Sequence, residues 1–146
     1  MEPVVLGPGV SREHLEREGW TPRVLPGFIG LAGPLWTRKT GDGWCYGFLA
    51  GAQHLNPAGV VHGGALVTWV DHAMSTVAWE ACDRQPCVTV DLHTQFMAPV
   101  RSGDWVRVET TVEHRAARLL FVRASLVVGD RRVLAAQGLL AVLGRP

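Results

Sequence analysis

The feature that most limits what this chain can fold into is a single stretch of helical periodicity, Gly63 to Cys82. Apolar residues recur there at Ala65/Leu66, Trp69/Val70, Ala73/Met74 and Val77/Ala78, the spacing of one helix face. Val67 and Trp79 occupy the opposite flank, so the helix is expected to be wrapped on most sides. The remaining long segments read as strands. Phe28–Arg38 and Trp44–Ala52 form a predicted hairpin around Thr40-Gly41-Asp42-Gly43. Gly30, Gly33, Gly47, Gly51 and Pro34 in that hairpin predict bulges, bends or an edge position. After Asp83–Pro86 closes the helix, four period-two stretches follow, at 88–96, 106–113, 120–128 and 133–143. In the first of these Val88, Val90, Leu92 and Phe96 alternate with Thr89, Asp91, His93 and Gln95. One long helix among six strands is an α+β arrangement.

The helix breaks two habits of helix design. Gly63 and Gly64 open it, although each glycine weakens a helix by about 1 kcal/mol relative to alanine. Glycine there lets another molecule approach bare N–H groups at a helix start, which already favours anions and oxyanions. Asp71 then places a carboxylate in the middle of a largely apolar helix, where burial is costly unless the group is paired or used. Bare amides and a carboxylate together point to chemistry at a carbonyl: the amides polarise oxygen and the carboxylate serves as base or nucleophile. Gly63 and Asp71 are eight residues apart, about 12 Å along a helix axis. If both act on one carbonyl, the second must come from another copy of the chain, which predicts a composite site in a homodimer.

The pattern Asn56-x-x-Gly59-x-x-His62-Gly63-Gly64 with Asp71 following resembles the hotdog-fold acyl-CoA thioesterases. The similar subgroup includes the phenylacetate-pathway (PaaI-like), hydroxybenzoyl-CoA and thioesterase superfamily member 2 types, and the likeness runs more loosely from Asn56 to Gly138. The resemblance implies a curved antiparallel β-sheet wrapped around one long central helix. It implies hydrolysis of an aryl- or medium-chain acyl-CoA, with CoA as part of the substrate and no cofactor. Asp71 would be the general base or nucleophile and Gly63 N–H would hold the carbonyl oxygen. Asn56 would orient water or substrate, and His62 would brace the loop or contact the thioester. Thr89 would bond the catalytic water or carboxylate. Asn56, His62 and Gly63 would come from one subunit, Asp71 and Thr89 from its partner. Arg101, Arg115 and Arg118, at predicted turns, would meet the CoA phosphates. Dimers of this type commonly pair into tetramers. Two rival readings are a non-catalytic acyl-CoA-binding module and a hotdog enoyl-CoA hydratase.

Other features narrow the field. The 146 residues are enough for one domain, 1–146, opening with an irregular segment and a short helix within 1–27. The helix is expected at Arg12–Glu18 with Ser11 as N-cap, and Trp20 and Leu25 are expected to pack the segment onto the body. Net charge is +1, so no global electrostatic case for nucleic acid or membrane exists. No signal-peptide pattern opens the chain, and no 18-residue apolar run occurs. Cys45, Cys82 and Cys87 form no CxxC pair, and free thiols in a reducing cytoplasm are expected. The six histidines include no HxH or HExxH, so no metal site is expected; His72 is read as structural or interfacial.

Overall fold

The computed structural model describes residues 9–144. The leader expected to be irregular at its start therefore lies mostly outside the described residues. Ser11 caps α1 (Arg12–Arg17) by accepting the His14 N–H at 3.1 Å, as its hydroxyl is suited to do. Leu15 and Trp20 bury this cap against Trp36, while Leu25 is half-buried. A short strand β1 (Thr21–Arg23) follows.

The next segment departs from the expected strand. Phe28–Ala32 is a short helix, α2, and the strand begins only at Leu35 (β2, Leu35–Thr40). Gly30 and Gly33 are thus helix and helix-end glycines, not strand bulges. An added Cβ at Gly30 would meet Leu25 O, so the turn into α2 has no room for a side chain there. Five residues are too few for a helix stable by itself. Tertiary bonds hold it: Ala32 O accepts from Trp69 Nε1 at 2.8 Å and from His54 Nε2 at 2.9 Å. The hairpin turn at Gly41–Asp42 is as expected, leading into β3 (Gly43–Leu49).

The central helix, α3 (Gly63–Ala81), is where the periodicity places it. It ends where Asp83 and Arg84 adopt positive φ, and Pro86 follows. Four strands complete the chain: β4 (Cys87–Phe96), β5 (Trp105–Arg115), β6 (Leu119–Val128) and β7 (Arg131–Val142). They join the first three in one antiparallel seven-stranded sheet of order β1-β2-β3-β5-β6-β7-β4. The sheet curls around α3, the arrangement of the hotdog fold.

Packing explains which helix face is enclosed. Leu66, Trp69, Val70, Ala73, Met74 and Ala78 are buried against Val106, Leu120, Leu126, Leu134 and Leu140. Trp69 stacks on Phe48 with ring centroids 5.1 Å apart; truncating such a ring costs about 3–5 kcal/mol. Met74 nests over β7 because Gly138 has no side chain: a Cβ there would lie 2.5 Å from Met74 Cε. The helix is nevertheless left open along one stripe. Thr68, Asp71, His72 and Ser75 are only half-buried, and Trp79 is 37% exposed.

The alternation in β4 is not the simple one expected. A register shift between Thr89 and Asp91 changes the strand's parity. Thr89 and Leu92 both turn toward the helix, while Val88 and Val90 are 43% and 57% exposed. β4 pairs with β7 on one side only, so its other edge carries no partner strand among the described residues.

Candidate functional site

The loop before α3 is tightly self-braced. Asn56 Oδ1 accepts the N–H groups of Ala58 at 3.0 Å and Val60 at 3.3 Å, an Asx turn, leaving its amide NH2 as the free end. His62 is the N-cap of α3, and its Nδ1 accepts Gly64 N–H at 2.8 Å. The ring thus caps the start of the helix. Ala65 and Leu66 N–H both go to His62 O, so Gly63 N–H is the first-turn donor outside these bonds. A Cβ on Gly63 would come 3.2 Å from the Phe96 ring. Glycine thus lets the end of β4 lie against the helix start. Gly63, Leu66, Phe96 and Met97 line an open cleft of about 340 Å³.

His54 is a positioning residue that the sequence reading passed over. It is 5% exposed and ties two regions together. Nδ1 accepts Gly51 N–H at 2.9 Å, so Nε2 carries the proton it donates to Ala32 O. His54 O in turn accepts His62 N–H at 2.7 Å. Burial lowers the His54 pKa, which keeps the ring neutral and this tautomer in place. Its sequence neighbours hold no hint of this role, because one partner lies 22 positions away.

Asp71 lies about one helical turn beyond Val67 on the open stripe, and it faces β4. Its Oδ1 accepts Thr89 Oγ1–H at 2.6 Å, a short charge-assisted bond. Ser75 and Thr76 do not cap it; Thr76 Oγ1 instead bonds His72 O at 2.8 Å. Asp71, Thr89, Val67, Phe28 and Ile29 line a cleft of about 410 Å³. α2 therefore supplies part of the wall, a contribution hidden from the sequence because the segment reads as strand. Neighbouring His72 has its pKa lowered, chiefly by burial and against the pull of Asp71, and its buried Nε2 has no partner among the described residues.

Asp71–Thr89 and Gly63–Phe96 form two separate clefts in one chain, one beside each end of β4. The three arginines are likewise not gathered. Arg115 ends β5 and donates Nη1–H to Ala81 O at 3.0 Å, and Arg118 lies near Gly144. Arg101 sits before the start of β5, with its N–H on Asp104 Oδ2 at 2.8 Å. The eleven residues of β5 separate the two groups by about 35 Å at some 3.4 Å per residue. Among the described residues, no three His, Cys, Asp or Glu side chains converge as a metal site would require. The three cysteines are free thiols, and among the described residues no helix is long and apolar enough to cross a membrane.

Comparison with known proteins adds to this geometry. The family model described as the thioesterase superfamily matches residues 58–135. A putative esterase of Pseudomonas aeruginosa is 38% identical over 87 residues, covering 59% of this chain and 65% of that protein. Human acyl-coenzyme A thioesterase 13 is 32% identical over 87 residues, covering 59% of this chain and 61% of that protein. The match thus spans less than two thirds of these curated relatives. Among solved structures, a Bacillus halodurans protein crystallised with CoA superposes with a TM-score of 0.69 at 23% identity, covering 75% of this chain and 74% of that one.

Proposed function

From the premise that the chain belongs to the thioesterase superfamily, we propose that it hydrolyses an acyl-CoA thioester to a carboxylic acid and CoA. The acyl group is aryl or medium-chain, and the working unit is a homodimer. The observation that carries this reading is the half-exposed Asp71 carboxylate, held by Thr89 in a cleft at the open edge of the sheet.

The dimer follows from β4. Its unpaired edge and the exposed Val88, Val90, Phe96 and Met97 favour addition of another strand. The simplest partner is a second β4, antiparallel across a two-fold axis. An axis between Leu92 and His93 sets Thr89 opposite the partner's Phe96. The Asp71 cleft of one chain then faces the Gly63 cleft of the other, which resolves the roughly 12 Å separation along α3. The same axis turns the Arg101 end of one chain toward the Arg115–Arg118 end of its partner. In this arrangement the three arginines meet the CoA phosphates as a group shared by two subunits. Pairing of dimers into a tetramer would need another surface; the outer sheet face offers Phe121, 42% exposed beside His93 and Gln137.

The chemistry is then as follows. The thioester carbonyl oxygen accepts from the partner's Gly63 N–H, at the positive end of α3. In one route Asp71 removes a proton from water as the water oxygen bonds to the carbonyl carbon. In the other the Asp71 carboxylate attacks directly, forming a mixed anhydride that water then opens. Either way the C–S bond breaks, CoA leaves as thiolate and takes up a proton. Thr89 fixes one carboxylate oxygen and leaves the second to act. The amide NH2 of Asn56 orients water or substrate at the mouth of the loop, which His62 keeps in shape.

Thiol release from a panel of acyl-CoAs tests this directly. Asp71→Asn should lower kcat about 10²–10⁴-fold, the usual worth of a positioned base. A folded, dimeric Asp71→Asn protein with full turnover would overturn the reading. Single-turnover reaction in heavy-oxygen water separates the two routes, because only direct attack transfers label into Asp71. Tight binding of CoA esters without thiol release would instead favour the binding-module alternative, and loss of enoyl absorbance without thiol release the hydratase.

A further inference from the structure

Cys82 caps the C-terminal end of α3, and Cys87 is the first residue of β4. The turn between them is tight. Asp83 and Arg84 take φ values of 53° and 62°, a left-handed pair that residues other than glycine seldom adopt. Arg84 N–H reaches back to Trp79 O at 2.8 Å, and Gln85 N–H to Cys82 O at 3.1 Å. Strain of this kind persists only where the surrounding structure holds it. The chain therefore reverses at once, and Cys87 returns onto the core cluster that contains Cys82. There the Cys87 thiol meets the Cys82 thiol, with Gln85 O 3.5 Å away. Cys45 is elsewhere, packed against the separate cluster of Leu15, Trp20 and Trp36.

The two thiols differ in access. Cys82 is fully buried, whereas Cys87 is half-buried. A reachable thiol backed by an enclosed one is the arrangement of an attacking and a resolving cysteine. The surroundings carry positive charge. Arg115 faces Cys87 while its Nη1 donates to Ala81 O at 3.0 Å. Arg118 O accepts Val142 N–H at 2.9 Å, and Val142 is the β7 partner of Cys87. Burial pushes the Cys87 thiol up, as does neighbouring Cys82, while Arg115 pulls it down. Cys87 is thus a slow nucleophile at neutral pH, and its thiolate fraction grows as the pH rises.

We propose that Cys82 and Cys87 form a thiol–disulfide exchange site whose reagent is an anionic low-molecular-weight disulfide. Cys87 loses its proton to solvent, and its sulfur bonds to one sulfur of the reagent. The reagent S–S bond breaks, and the first thiolate leaves and takes up a proton. Cys82, deprotonated in turn, attacks Cys87 Sγ, and the second thiolate leaves and is protonated. Two protein thiols are thereby oxidised by two electrons, and one small disulfide is reduced to two thiols. The guanidinium groups of Arg115 and Arg118 favour a reagent that carries carboxylates or phosphates. The product is a covalent tie between the end of α3 and the start of β4, two residues before Thr89. This site stands whether or not the chain hydrolyses thioesters.

The experiment incubates the folded full chain with oxidised glutathione, quenches with acid and maps the cysteines by peptide mass. The wild type should lose two hydrogens, with the new bond between Cys82 and Cys87, and dithiothreitol should reverse it. Cys82→Ala should stop at a glutathione mixed disulfide on Cys87. Cys87→Ser should leave Cys82 unmodified, because nothing reaches it. The rate of the first step should rise about tenfold between about pH 6.5 and 7.5, as expected of a thiol that is mostly protonated there. Arg115→Gln should slow the reaction with oxidised glutathione several-fold more than that with neutral hydroxyethyl disulfide. Equal slowing of both would overturn the preference for an anionic reagent. An unmodified Cys87, a mixed disulfide that persists in the wild type, or a bond to Cys45 would overturn the site itself. So would a lower melting temperature of the oxidised protein, since a pair already in place closes without distorting the fold.

Discussion

The two edges of the sheet are finished in opposite ways. At one edge, β1 has only three residues, Thr21–Arg23, with a proline in the middle. Short strands and proline are the usual means of stopping further pairing. At the other edge, β4 is ten residues long and presents Val88, Val90 and Phe96 to the outside. One edge is sealed and the other invites a strand. The candidate chemistry follows the same asymmetry: Asp71 and Gly63 both open beside β4, one at each of its ends. The difference teaches that the exposed apolar surface lies on the same edge as both clefts, where the proposed dimer would cover it.

The comparison can be broken in several places. The largest effect is expected from removing the Asp71 charge, the loss of about 10²–10⁴-fold in kcat already set out, since it strikes the chemistry at the open edge itself. Next comes the edge. Val90→Lys should convert the dimer to monomer in light scattering. It should also cost about 10²–10³-fold in activity, because each carbonyl loses the partner's amide. Thr21→Lys at the sealed edge should change neither; equal loss from both substitutions would show that the edges are not distinct. The smallest effect is on stability with pH, and it lies away from either edge. His54 and His72 both have folded pKa values lowered by burial. Below about pH 6.5, the ordinary histidine value, the unfolded chain takes up protons that the folded chain refuses. Stability is therefore complete above that pH and declines as the pH falls through it toward the lowered folded values. Melting temperatures between pH 7.5 and 5 should fall accordingly, and His54→Gln should flatten part of that slope without altering dimerisation.

Much of this was legible in the sequence, and the misses have physical causes. α3 was legible because nineteen residues repeat one face, with glycines at the start and a proline beyond the end. β5, β6 and β7 were legible because a buried inner face enforces alternation. α2 was not: Phe28-Ile29-Gly30-Leu31-Ala32 carries no strong helix signal, and its shape comes from Trp69 and His54 donating to Ala32 O. β4 was half legible, since its bulge lets Thr89 and Leu92 share a side that simple alternation assigns to different ones. The Asp71–Thr89 bond was reachable through family resemblance, whereas helix spacing alone does not point to a partner 18 positions away. Phe96 against Gly63 needed the fold, because the contact joins a helix start to the far end of a strand.

The separation of Gly63 from Asp71 along a single helix has one more consequence, which is genetic in kind. In the two-subunit arrangement each chain donates its amide to one site and its carboxylate to the other. A chain lacking Asp71 and a chain whose helix start is blocked at Gly63 are then each inactive alone. Mixed together, they would form some dimers in which one site receives both good halves. Random pairing would restore about a quarter of the wild-type sites, the fraction set by two-fold symmetry. Two broken copies could thus make one working enzyme.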